Sequence, residues 1–90
     1  MKVILCITSN PNSDQISTNL IKNGYRVTKF ASTAGFFGGG TTTLMIGLAD
    51  ELVQSALEII RSHFPAPQES SDKKLEATIY VLDTLGFDQI

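Results

Sequence analysis

An α+β domain with the order β-α-β-β-α-β is what this 90-residue sequence predicts. Three observations carry that prediction. Four short segments are rich in β-branched and apolar residues, which favours strands. Two segments between them repeat apolar residues at three- and four-residue spacing, which favours amphipathic helices. Asn23-Gly24, a glycine-rich run at 34–40 and the prolines at 65 and 67 separate the elements. The order is the split β-α-β pattern of the ferredoxin-like fold, a sheet with both helices on one face. The length fits one domain over 1–90.

The first strand is expected over 2–9, from Lys2-Val3-Ile4-Leu5-Cys6-Ile7 onward. Asn10-Pro11-Asn12-Ser13 reads as a turn, with Asn12 or Ser13 capping the first helix and Asp14 in its first turn. Ile16, Leu20 and Ile21 give that helix its apolar stripe. Asn23-Gly24 stops it, since glycine readily takes the left-handed cap conformation. Tyr25–Thr33 reads as the second strand and Thr41–Leu48 as the third. Asp50 is expected to cap the second helix, with Leu52, Val53, Ala56, Leu57, Ile60 and Phe64 on one face. Pro65 and Pro67 end it, and 65–74 is a polar linker loop. Leu75–Leu82 reads as the fourth strand. The tail from Asp83 carries Phe87 and Ile90 and is expected to dock rather than fray.

Both faces of this sheet are apolar. Val3, Leu5 and Ile7 alternate with Ile4 and Cys6, Leu44 and Ile46 with Met45, and Ala77, Ile79 and Val81 with Tyr80 and Leu82. Two helices cover one face only. Apolar residues make up 42% of the chain, more than that single layer consumes. A large exposed apolar face marks an interface, so the sequence predicts an oligomer.

Composition excludes several function classes. Seven Lys and Arg against nine Asp and Glu give a net charge of −2, without the basic field that a nucleic-acid polymer or anionic membrane surface demands. No apolar run is long enough to span a bilayer. The N-terminal apolar run is too short for a signal-peptide core, so a cytoplasmic protein is expected. A single cysteine and a single histidine offer no metal-ligand spacing, and no cofactor is expected. Cys6 sits mid-strand and reads as core. His63 lies at a helix end, where a cation favours the dipole. The carboxylates fall at caps, helix starts and loops, and no pair is spaced for acid–base work. An enzyme is therefore not expected.

The connection between the second and third strands reads Thr33-Ala34-Gly35-Phe36-Phe37-Gly38-Gly39-Gly40-Thr41-Thr42-Thr43. Glycines there suit a flexible hairpin loop. They also let backbone N–H groups approach an anion. No lysine of an NTPase loop follows. Adjacent phenylalanines on such a loop can stack on a purine or pack across an oligomer interface, and the residues alone leave both readings open. Arg26, upstream on the same hairpin, has the guanidinium geometry for a phosphate.

Arg26-Val27-Thr28-Lys29, Ala31-Ser32-Thr33-Ala34-Gly35-Phe36-Phe37, Thr42-Thr43 and Gly47 together resemble the cyclic di-AMP receptor family of PII-like signalling proteins. Ala77-Thr78, Asp83 and Phe87-Asp88-Gln89 also resemble the family's C-terminal segment. The resemblance implies PII-like subunits of ferredoxin-like fold in a homotrimer. It implies cyclic di-AMP in clefts between subunits, and nearby loops that signal to a protein target. On this chain it places Arg26 at the phosphates and Thr28 in hydrogen bonding to the ligand. Gly35, Phe36 and Phe37 would line the base pocket, Gly47 would admit the base, and Gln89 would close the pocket. The 34–40 loop would become ordered on binding.

Three departures from the family pattern stand out, the third being the loop after the second helix together with the pair that follows it. Thr41 stands for the asparagine of the turn before the third strand, and a hydroxyl replaces an amide that donates and accepts together. Ala34 stands for a glycine. The long loop after the second helix is cut to about ten residues, and Leu75-Glu76 replaces a Gly-Gly pair. These departures motivate two alternatives, namely a PII-like trimer sensing another small anion or mononucleotide, and a ligand-free protein-interaction trimer.

Overall fold

The computed structural model describes residues 1–30, 40–64 and 77–84. Strand β1 (Lys2–Ser9) leads directly into helix α1 (Asn10–Lys22). Strands β2 (Val27–Phe30) and β3 (Thr41–Leu48) follow, then helix α2 (Val53–Arg61) and strand β4 (Ala77–Asp83). The sheet order is β2-β3-β1-β4, antiparallel at every pairing. This α+β arrangement of four strands and two helices is compatible with the ferredoxin-like pattern.

The register fixes the faces, because directly opposed residues of antiparallel strands share a face. Ile4 opposes Ile46 on β3 and Val81 on β4, and Cys6 opposes Leu44 and Ile79. The helices pack on this face. Ile4, Cys6, Leu44, Ile46 and Leu48 are buried there with Ile16, Leu20, Val53, Ala56, Leu57 and Ile60. Tyr25, Val27, Ile59, Phe64, Ala77 and Ile79 pack around them. On the opposite face Leu5 opposes Met45 and Tyr80, and Val3 opposes Gly47 and Leu82. Phe30, Met45, Tyr80 and Leu82 are exposed on that face. The two-faced apolar sheet expected from the sequence is thus present.

Several local expectations change. Helix α1 starts at Asn10, so Asn10-Pro11-Asn12-Ser13 is its first turn rather than a separate one. Ser9, not Asn12 or Ser13, is the N-cap, its hydroxyl accepting from the Asn12 N–H at 3.4 Å. Proline fits there because the first helical turn has no use for the missing N–H. Asp14 therefore lies beyond the first turn and pairs with Lys29 of β2. The buried line of α1 is Ser13, Ile16, Ser17 and Leu20, while Ile21 is exposed one step around the helix. Ser13 and Ser17 tolerate burial because each hydroxyl donates to a carbonyl one turn back, Asn10 at 2.8 Å and Asp14 at 3.1 Å.

Asp50 opens a short 3-10 turn, Asp50–Leu52, and makes no side-chain cap. Its carboxylate lies 3.1 Å from the Met1 amino nitrogen. Three residues per turn rotate Leu52 away from the stripe of α2, and it is exposed. The second strand is described over Val27–Phe30 and the fourth from Ala77. Residues 31–33 and 75–76, the linker at 65–74 and the tail from 85 lie outside the described residues.

The end of α1 follows the expected stop. The Tyr25 N–H donates to Leu20 O and the Gly24 N–H to Ile21 O, both at 3.0 Å. Gly24 has φ +90°. This Schellman arrangement reverses the chain and leads it through Arg26 to β2.

Candidate functional site

Alternation along β2 sorts the basic cluster at 26–29. Lys29 opposes Leu44, so it shares the helix-covered face and pairs with Asp14. Thr28 opposes Met45 on the open face. Arg26 precedes β2 by one residue, and continuing the register sets it opposite Gly47. Arg26 and Thr28 are both exposed. Gly47 also opposes Val3, and it offers backbone without a side chain between Arg26 and the first strand. One end of the β2–β3 pair thus carries a guanidinium, a hydroxyl and an uncovered stretch of backbone. That set can hold an anion and admit a flat group against the sheet.

Thr41 lies elsewhere. It opens β3, opposes Ser9 and is exposed. Gly47 lies six positions further along the strand, about 20 Å along the sheet. The chain leaves β2 at Phe30 and returns at Gly40, so the glycine-rich connection departs from Thr41's end and not from Arg26's. The structure therefore brings Arg26, Thr28 and Gly47 together and holds Thr41 apart. Gly35, Phe36, Phe37 and Gln89, with positions 34–39 of the loop, lie outside the described residues.

The β3 start is tied down by Asn10. Its backbone N–H donates to Gly40 O at 3.0 Å, and its Oδ1 accepts from the Thr42 hydroxyl. Sequence reading placed Asn10 in a turn and gave it no role.

Two surface depressions among the described residues lie elsewhere. One is lined by Asn23, Tyr25, Ser55, Glu58, Ile59 and Ser62. The other is lined by Asp14, Gln15, Thr18, Asn19, Lys22 and His63. In the second, His63 Nε2 lies 3.2 Å from Asn19 Nδ2, while Asn19 Oδ1 accepts from Asn23. His63 thus links α2's C-terminal turn to α1. Cys6 is fully buried, and burial pushes its thiol up to about 11. It is core, as its place mid-strand predicts. The Asp83 carboxyl is held below its ordinary range by the hydrogen bond from Lys2, whose own pKa that bond raises. Among the described residues no group of His, Cys, Asp and Glu is placed to hold a metal ion. No helix of the described residues is long and apolar enough to cross a membrane.

A family model for the cyclic-di-AMP receptor matches residues 1–70, which span the Arg26–Gly47 end of the sheet and the connection at 31–40. The chain belongs to the cyclic-di-AMP receptor family. The suspected resemblance is therefore correct, and a nucleotide-sensing signalling role follows at the level of the family. A solved structure agrees in fold. A functionally unknown protein from Pediococcus pentosaceus superposes with a TM-score of 0.72 at 30% sequence identity. That match covers 99% of this chain and 96% of the other.

Proposed function

We propose that this protein is a cytoplasmic, non-enzymatic sensor that binds cyclic di-AMP at the seams of a PII-like homotrimer. The observation that carries the reading is the family match over 1–70 together with Arg26, Thr28 and Gly47 at one end of the open face. Arg26 binds a phosphate, Thr28 hydrogen-bonds the ligand and Gly47 admits a base. Thr41, Gly35, Phe36, Phe37 and Gln89 complete the pocket.

The separation of Thr41 from Arg26 supports a site shared between copies. Two groups about 20 Å apart on one chain converge on one nucleotide most simply when neighbouring subunits each supply one. The apolar open face supports the same assembly, since a second copy removes it from water. Binding orders the 34–40 loop and changes the surface presented to a protein target, with no bond made or broken.

Calorimetry with cyclic di-AMP, ATP, AMP and cyclic di-GMP tests the reading. The expected result is heat with cyclic di-AMP and a loss of about ten- to hundredfold in affinity in Arg26→Ala, the range for a charged hydrogen bond. Heat with ATP or AMP alone would move the protein to a mononucleotide sensor. Silence with all four would remove nucleotide sensing from it.

A further inference from the structure

We propose that Asn10 is a positioning residue for the nucleotide site, setting Thr41 through a two-point grip on the start of β3. The inference rests on the functional reading above and adds a residue that neither motif nor family pattern supplied. Asn10 is the first residue of α1, directly after β1. Its N–H donates to Gly40 O at 3.0 Å, its Oδ1 accepts from the Thr42 hydroxyl, and its own carbonyl accepts from Ser13 Oγ at 2.8 Å. Gly40 and Thr42 are the two neighbours of Thr41. Asn10 therefore brackets Thr41 by backbone on one side and by side chain on the other.

The bracket has a directional consequence. Thr42 is buried on the helix-covered face, so holding its hydroxyl there sends Thr41 to the open face. The β1–β3 ladder runs from Lys2 opposite Leu48 to Ser9 opposite Thr41, and the buried alternation of Leu44, Ile46 and Leu48 opposes a slip of the strand as a whole. Thr41-Thr42-Thr43 carries no local preference for one register over the other. Asn10 adds that preference locally, at the last rung of the ladder, from the first residue of α1. The Ser13 bond holds Asn10 in the first turn of α1, so the strand start is fixed to the helix and not only to its neighbouring strand.

The test measures cyclic di-AMP affinity by calorimetry in Asn10→Ala, Asn10→Asp, Thr42→Val and the Asn10→Ala/Thr42→Val pair. Each is first shown by circular dichroism to be folded at the assay temperature. Asn10→Ala and Thr42→Val should each weaken binding about three- to tenfold, the range for one hydrogen bond. The double variant should be no weaker than Thr42→Val alone, because the Asn10 side chain acts on the strand through the Thr42 hydroxyl. Asn10→Asp keeps an oxygen acceptor at a helix start and should restore affinity to within about twofold of the parent. Unchanged affinity in folded Asn10→Ala, additive losses in the pair, or failure of Asn10→Asp to rescue would each overturn the proposal. If Asn10→Ala does not fold, Thr42→Val and Asn10→Asp decide the matter by the same criteria. Absence of binding in the parent protein would instead refute the functional reading.

Discussion

Replacing Tyr80 with glutamate should separate the proposed assembly of this protein from its folding. Tyr80 lies on edge strand β4, opposite Leu5, and is 51% exposed in the single chain. Phe30, Met45 and Leu82 share its face and are likewise exposed. Each of the four leaves on the order of 80 Å² of surface open, so covering them is worth about 8 kcal/mol per chain at about 25 cal/mol per Å². Tyr80→Glu removes about a quarter of that and places an unpaired carboxylate in the contact, which costs several kcal/mol more. The association constant should fall by roughly a thousandfold or beyond. In the isolated chain the same change costs about 1 kcal/mol at most, because the site is already wet. Ile21→Glu is the control. It makes the same charge change at an exposed position on α1, which packs against the opposite face of the sheet. Sedimentation equilibrium should give three times the 9.8 kDa chain mass for the parent and for Ile21→Glu, and the single-chain mass for folded Tyr80→Glu. A monomeric parent would refute the reasoning outright. So would a Tyr80→Glu protein of unchanged mass, or an Ile21→Glu protein that dissociates equally.

Three further outcomes follow from the core and the helix end. Gly24→Ala should lower stability by about 1–2 kcal/mol through backbone strain alone, read as a shift in the urea midpoint, since φ is +90° and nothing stands within 4 Å of an added Cβ. Cys6 should resist alkylation at pH 8 in the folded protein and react readily in denaturant, because burial raises its thiol from 9.0 to about 11. A raised acid pKa contributes stability that is complete below pH 9 and is lost as pH climbs toward 11. The stability difference between the parent and Cys6→Ala should therefore fall by about 1.4 kcal/mol per pH unit across that window.

Strand identity was legible in the sequence wherever alternation was strict. β1 and β3 have the residues expected of them, and the two apolar faces could be assigned before any pairing was known. The start of α1 was misread because Pro11 suggests a turn, although a proline costs nothing where the helix has no N–H bond to make. Leu52 and Ile21 were misplaced for a related reason. An apolar residue beside a stripe looks like part of it until the phase of the helix is fixed, and a 3-10 turn changes that phase. At the site, the family resemblance named Arg26, Thr28 and Gly47, and Thr41 as a departure at a position of the same pattern. Their division into two groups depends on the β2–β3 register, which no local pattern states. Asn10 was invisible for the same reason, since its partners at 40 and 42 are reached only through the tertiary fold.

The register also ties ligand to assembly. Arg26, Gly47, Val3 and Leu82 form one row across the open face, and Thr28, Met45, Leu5 and Tyr80 form the next. The polar end of each row lies on β2 or its extension, and the apolar end lies on β4. With strands about 4.8 Å apart, the whole row spans about 15 Å. On the proposed reading, a copy that covers the apolar ends also walls in the polar ends. It excludes water from Arg26, which strengthens the attraction of the guanidinium for a phosphate. A nucleotide held there in turn neutralises a charge that the seam would otherwise bury unpaired. Ligand and neighbour therefore each lower the cost of the other, and the coupling is reciprocal. On that reading, an otherwise expendable apolar surplus in a 90-residue chain becomes part of how a single arginine can hold a dinucleotide.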